Sequence, residues 1–194
     1  MDSTLSIKGT DPTALARLSA ALERAFSARG ALHREVVFAC IGTDRSTGDA
    51  LGPLVGQRLS RLGCPDSNVI GTLKEPLHAL NLHERLDHLV DDPRNPLVVA
   101  VDAALGSVAS VGTVSLRPGG LHPGQGVGKR LPQVGEMSIT ATVNVSAGAL
   151  DAQVLQSTRL FMVQELAETI ATACWWSLRM VRRNNEAGRL RQVA

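Results

Sequence analysis

At 194 residues, with 44% hydrophobic side chains, 3% aromatics and a net charge of +2, the chain is long enough for one domain with an aliphatic core, and its balance of charge argues against electrostatic capture of nucleic acid. The three cysteines, Cys40, Cys64 and Cys174, are odd in number and show no C-x-x-C spacing, so neither a disulfide framework nor a zinc knuckle is supported, and a reducing cytoplasm fits best. Residues 1–10 carry no apolar core of signal-peptide length, and no stretch is long and apolar enough to span a bilayer, so no membrane association is expected.

The organisation read from the sequence is a single domain over 1–194. It comprises an N-terminal tail (1–10), an α/β core (11–182) and a basic C-terminal tail (183–194). Asp11-Pro12 predicts a helix start, and Leu15, Leu18, Ala21, Leu22 and Phe26 follow at helical spacing until Gly30 stops the pattern. Val36 to Ile41 is a continuous apolar run and predicts a buried strand ending at Gly42. A polar loop from Thr43 to Gly48 follows, bracketed by Asp44 and Asp49. A helix over 49–62 comes next, with Leu51, Leu54, Val55, Leu59 and Leu62 inward. Strand, polar loop and helix is the arrangement by which open α/β sheets place chemistry at the carboxyl ends of strands. Asp49 has two readings at this point, a charge capping a helix start or a catalytic carboxylate.

Val69 to Leu73 predicts a short second strand, ended by Glu75-Pro76, with Glu75 a further site candidate beside the same sheet edge. Residues 77–90 read as a helix. Its histidines, His78, His83 and His88, are spaced by five and share no face, so they read as solvated rather than as metal ligands. Pro96 to Gly106 is a third strand whose unbroken apolar run implies helices on both faces. Asp102 stands at the end of that run. A carboxylate there costs free energy unless it is paired, hydrogen-bonded or protonated. Asp102 therefore either caps the following loop or belongs to a site.

Gly112 to Leu116 predicts a fourth strand, antiparallel because the connection from the third is too short for a helical crossover. Residues 117–132 form a long glycine- and proline-rich loop. Its Gly-x-Gly-Lys core is not a phosphate loop, since Pro123 stands where glycine is required and Arg130 where Ser or Thr is required. Gly124, Gly126 and Gly128 would bring backbone close to the aspartates or to an extended peptide, and His122 and Lys129 are the polar groups this loop could deliver. Glu136 to Val143 is a fifth strand. From Asp151 to Arg183 the pattern is helical over about 50 Å at about 1.5 Å per residue, too long for a compact domain, so either a break near Ser157-Thr158 or a projecting end is expected. Trp175 and Trp176 read as core packing or as a homo-oligomer contact.

Four motifs carry a resemblance. Ile41-Gly-Thr-Asp-Arg-Ser-Thr-Gly-Asp-Ala-Leu-Gly-Pro53, Gly71-Thr-Leu-Lys-Glu-Pro-Leu-His-Ala-Leu-Asn-Leu82, Ala100-Val-Asp-Ala-Ala-Leu-Gly106 and Val154-Leu-Gln-Ser-Thr-Arg-Leu160 are similar to the YyaC family of sporulation proteins. More distantly, Asp49 to Pro53, Val101 to Ala103 and Leu121 to Lys129 resemble the germination protease of spore-formers, which degrades small acid-soluble spore proteins and is thought to use two aspartates; these fall on Asp49 and Asp102. The hydrogenase maturation protease is a further relative that binds metal through Glu, Asp and His, which by position fall on Asp49, Asp102 and His122. The resemblance implies a three-layer α/β/α sandwich like that protease, with a mixed five-stranded sheet of order 2-1-3-5-4 and strand 4 antiparallel. It also implies the cytoplasm of a forespore or mother cell.

The expected function is a sporulation-associated endopeptidase acting on a small protein or peptide, with Asp49 and Asp102 catalytic and no cofactor. Two nearby carboxylates do not both ionise cheaply, so one holds a proton while the other activates water. Thr43, Asp44, Glu75, His122 and Lys129 are supporting candidates. One rival is a divalent-metal site, zinc or nickel, held by Asp49, Asp102 and His122. The other is a catalytically silent module that grips a peptide in the glycine-rich loop.

Overall fold

The fold is given by a computed structural model that describes residues 4–31, 33–90, 92–123 and 133–193. Its strands are β1 (Leu5–Lys8), β2 (Val36–Cys40), β3 (Val69–Ile70), β4 (Leu97–Gly106), β5 (Thr113–Pro118) and β6 (Met137–Val145). Its helices are α1 (Ala14–Ala28), α2 (Leu51–Arg61), α3 (Leu82–Val90), α4 (Asp151–Gln156) and α5 (Leu160–Val193). The strands make one mixed sheet in the order β1-β5-β6-β4-β2-β3. β3, β2, β4 and β6 run parallel, and β5 pairs antiparallel with both β6 and β1.

The sheet has six strands rather than the five expected. The added strand lies in the expected N-terminal tail, where residues 5–8 pair with β5 from Leu5 opposite Leu116 to Lys8 opposite Thr113. Ile7 is buried in the core, and the Lys8 ammonium donates to the carbonyls of Ala109 and Val111, both at 2.6 Å. Three other boundaries also differ. The second strand stops at Ile70, the helix expected from residue 77 begins at Leu82, and α5 carries helical backbone through the expected tail to Val193. The break in the long helix falls between Gln156 and Leu160. There the Ser157 hydroxyl donates to the Gln153 carbonyl and the Thr158 hydroxyl to that of Val154.

β2 is apolar throughout, and β4 from Leu97 to Val101, because both faces are covered there. In β2, Val36, Phe38 and Cys40 join the larger core with α1, α2 and α5, while Val37 and Ala39, with Ile41, join the smaller core under α3. β4 alternates in the same way, with Val99 and Val101 on the first face and Val98 and Ala100 on the second. α2 lies tight on the sheet because Gly52 and Gly56, one turn apart, face it. A Cβ on Gly52 would stand 2.0 Å from the Ile41 carbonyl oxygen, and one on Gly56 1.9 Å from that of Gly71. Trp175 packs against the larger core, whereas Trp176 is 47% exposed and lines a groove between α1 and α5 with Leu15 and Met180.

Candidate functional site

β2 ends at Cys40, opposite Val101, while β4 runs on to Gly106. Asp102 is therefore the first β4 residue beyond the end of β2. By the two-residue period of a strand its side chain shares the face of Ala100, on the α3 side. Its register partner on β6 is Thr140.

Asp49 reaches the same end of the sheet by a different route. At Gly42 the chain turns with φ +146° and its amide donates to the Leu77 carbonyl at 2.8 Å. The loop then closes on itself, with the Thr43 amide donating to the Asp49 carbonyl at 3.1 Å. Asp49 stands in a single 3-10 turn, Gly48–Ala50, that leads directly into α2. Gly48 packs against Leu155 of α4, which holds the turn down from outside.

The two carboxyls differ in electrostatics. Asp102 is closely surrounded by protein, although part of the residue remains accessible. Burial pushes its carboxyl up to about 8, with the negative charge of Asp49 adding to the rise and the Ala103 amide, donating to Oδ1 at 2.8 Å, opposing it. Burial also raises Asp49, against a downward pull from the Ser46 hydroxyl. The two carboxyls interact, since a negative charge on Asp49 makes that on Asp102 costlier. Asp151 provides the contrast. It is also buried, yet it accepts from the Ala147 amide at 2.6 Å and from the Ser146 hydroxyl, as a capping carboxylate does. Among the described residues Asp102 has one such donor, contributed by the next residue in the chain.

The other expected site residues fall in several places. Thr43 is half-buried in the closed loop, where its hydroxyl oxygen accepts from the Arg45 amide at 3.3 Å. Asp44 is exposed. Glu75 is exposed and paired with Arg85 of α3 at 3.3 Å. His122 is exposed just beyond the bridge between Leu121 and Val134. Gly124, Gly126, Gly128 and Lys129 lie outside the described residues. Among the described residues, no three His, Cys, Asp or Glu side chains converge on a point that could hold a metal ion, so Asp49, Asp102 and His122 are not gathered as a ligand set.

Two polar groups near the site carried no sequence signal. The Ser46 hydroxyl, in the Asp49 loop, is buried beside the Asp49 carboxyl. His78, next to the Leu77 that binds Gly42, is half-buried rather than solvated, and its Nδ1 is shielded without a hydrogen-bond partner. Such groups are uncommon in folded proteins. His83 and His88 are exposed, as expected.

Fold and site thus define a mixed α/β protein with two aspartates converging at the carboxyl ends of adjacent parallel strands. The chain belongs to the family described as "Protein of unknown function (DUF1256)", whose model matches residues 6–173. It is similar to "Uncharacterized protein YyaC" of Bacillus subtilis (strain 168), at 44% identity over 165 residues, covering 85% of this chain and 79% of that protein. No helix among the described residues is long and apolar enough to cross a membrane.

Proposed function

We propose that this protein is an endopeptidase that hydrolyses peptide bonds of a small or unfolded protein with Asp49 and Asp102 as an acid–base pair. The observation that carries the reading is the placing of two carboxyls at one end of the sheet, Asp102 on β4 just beyond the end of β2 and Asp49 in the turn that follows β2, where burial raises both and Asp49 raises Asp102 further. Environments that push two titratable groups apart assign acid and base.

In this reading Asp49 takes a proton from water as its oxygen attacks the scissile carbonyl carbon. Asp102 donates its proton to the carbonyl oxygen, giving a neutral tetrahedral diol. When the diol collapses, Asp49 passes its proton to the amide nitrogen, the C–N bond breaks, and Asp102 recovers its proton from the hydroxyl that becomes the new carboxyl group. The distant motif resemblance to the germination protease supports the same assignment. A sandwich of the hydrogenase maturation protease's type, a spore-protein substrate and a sporulating cell as the setting belong to this proposal.

The test is digestion of a disordered protein such as casein, followed by mass spectrometry. Wild-type protein is expected to release peptides, and Asp49→Asn and Asp102→Asn are each expected to lose at least about a hundredfold in rate. Equal cleavage by either variant, or no cleavage by the wild type, defeats the reading; binding without cleavage would leave a silent peptide-binding module.

A further inference from the structure

β4 outruns β2, and this leaves a strand edge beside the aspartates. The hydrogen bonds show which way each β4 residue faces. Leu97 donates to the Glu35 carbonyl, and the Val101 carbonyl accepts from the Ile41 amide, so the odd residues face β2. The Val98 carbonyl accepts from Glu136 and that of Gly106 from Ser146, so the even residues face β6. Beyond Val101, Ala103 and Leu105 therefore turn their amides and carbonyls toward the line that β2 has left. The register shift near Ala104 and Leu105 does not alter this. The partners step from Thr142 to Asn144, so the extra residue is Val143 of β6, and β4 itself continues without interruption.

This edge is open. Residues 103–106 are all partly accessible. The Ala103 amide is occupied only by the Asp102 carboxyl, while the Ala103 carbonyl and both backbone groups of Leu105 have no hydrogen-bond partner among the described residues. Proteins blunt such edges with lysine, proline or a covering element, and Ala103-Ala-Leu-Gly106 carries neither residue. Acceptor, donor and acceptor recur along about 7 Å, the repeat of an extended main chain.

We propose that this edge docks an extended polypeptide, adding it as a strand in line with β2. The chemistry of the edge selects the occupant, because an extended peptide backbone offers the complementary alternation of amides and carbonyls at this spacing. The surroundings favour apolar side chains. Leu80, Val108 and Leu150 are 85%, 81% and 53% exposed, on the connections that follow β3, β4 and β6 at this same end of the sheet. A peptide carbonyl that takes the Ala103 amide displaces the Asp102 oxygen and frees that carboxyl to face the bound chain. Docking stands on the edge alone; delivery of a scissile bond to Asp49 and Asp102 rests on the peptidase reading.

The probe is a fluorescein-labelled decapeptide of alternating valine and threonine with a lysine at each end, together with two versions N-methylated at alternate residues in opposite phases. Binding is read by anisotropy and cleavage by mass spectrometry on the same samples. Docking by strand addition predicts that one N-methylated phase binds at least about tenfold more weakly than the parent and the other does not. Leu105→Pro, which removes an amide that faces away from β6, is expected to weaken binding by a similar factor, while Leu105→Ala stays within about threefold. Should Leu105→Pro unfold, hydrogen exchange at the wild-type Leu105 amide decides, and the peptide must slow it. No binding, equal binding of both methylated phases, or an unprotected Leu105 amide overturns the proposal. Binding without cleavage defeats the peptidase reading and leaves docking intact; cleavage unaffected by a folded Leu105→Pro does the reverse.

Discussion

Gly42 and Asp49 touch through their backbones: a Cβ on Gly42 would lie 1.9 Å from the Asp49 carbonyl oxygen and 2.9 Å from Cδ of Pro53. The φ of Gly42, +146°, is also one that residues with a side chain rarely adopt. Gly42→Ala is thus expected to force the turn carrying Asp49 outward. Destabilisation of about 2–4 kcal/mol in urea unfolding is predicted, together with loss of the Asp49–Asp102 coupling. An alanine variant as stable as the wild type would mean that the loop moves freely and does not fix Asp49.

The Asp102 carboxyl binds its proton more tightly in the folded protein than in the unfolded chain, since its value rises from 3.8 to about 8. The stability this contributes is fully present below pH 4 and is lost as pH rises from 4 to 8, where the unfolded chain has released the proton and the folded protein still holds it. The slope is at most about 1.4 kcal/mol per pH unit. Asp102→Asn, which stays neutral, is expected to flatten this slope and to melt higher than the wild type at pH 8. Thermal melts of both proteins across pH 5–9 check it. A variant that melts lower at every pH would identify Asp102 as a structural cap.

Peptidase activity is predicted to have two pH limbs. The acid limb follows Asp49, raised above the ordinary carboxylate range by burial, and the alkaline limb follows loss of the Asp102 proton near pH 8. A rate profile between pH 4 and 10 on one peptide substrate reads both. A rate that keeps climbing above pH 9 would exclude Asp102 as the proton donor.

Chelation is predicted to change neither activity nor the thermal midpoint, because Asp49, Asp102 and His122 are not gathered as a ligand set. The measurement is a melt with chelator and with added zinc or nickel. A midpoint that rises with metal in the wild type and not in Asp102→Asn would restore the metal reading, since a ligand that stabilises must bind the folded state.

The homo-oligomer expected through the tryptophans is predicted to depend on Trp176 alone. Trp176 is exposed beside Leu15 in the groove between α1 and α5, whereas Trp175 is committed to the core. Sedimentation of wild type and Trp176→Lys at equal concentration tests this. A larger wild-type species that dissociates in the variant is expected, and identical sedimentation would remove the groove from consideration.

Several elements were legible because a local rule and the tertiary fold agree. The unbroken apolar runs of β2 and β4 announce strands covered on both faces, and the short connection before β5 announces an antiparallel neighbour. Asp102 stood out as a charge ending an apolar run. β1 was missed because Leu5 and Ile7 are only two apolar residues, and pairing with Leu116 and Val114, more than a hundred positions away, makes them a strand. His78 was missed for a related reason. Its five-residue spacing from His83 describes a helix it does not belong to, since α3 begins at Leu82.

The sequence by itself determined the alternation of strands and helices, the helices on both sheet faces and the two aspartates at strand ends, because hydrophobic period and the cost of burying a charge are properties of neighbouring residues. Only the tertiary structure decided which aspartate keeps its proton, that Ser46 and His78 are shielded, and that β4 runs past β2 to leave an open edge. Those features depend on desolvation and on hydrogen-bond partners, and both are set by segments that meet only when the chain is folded.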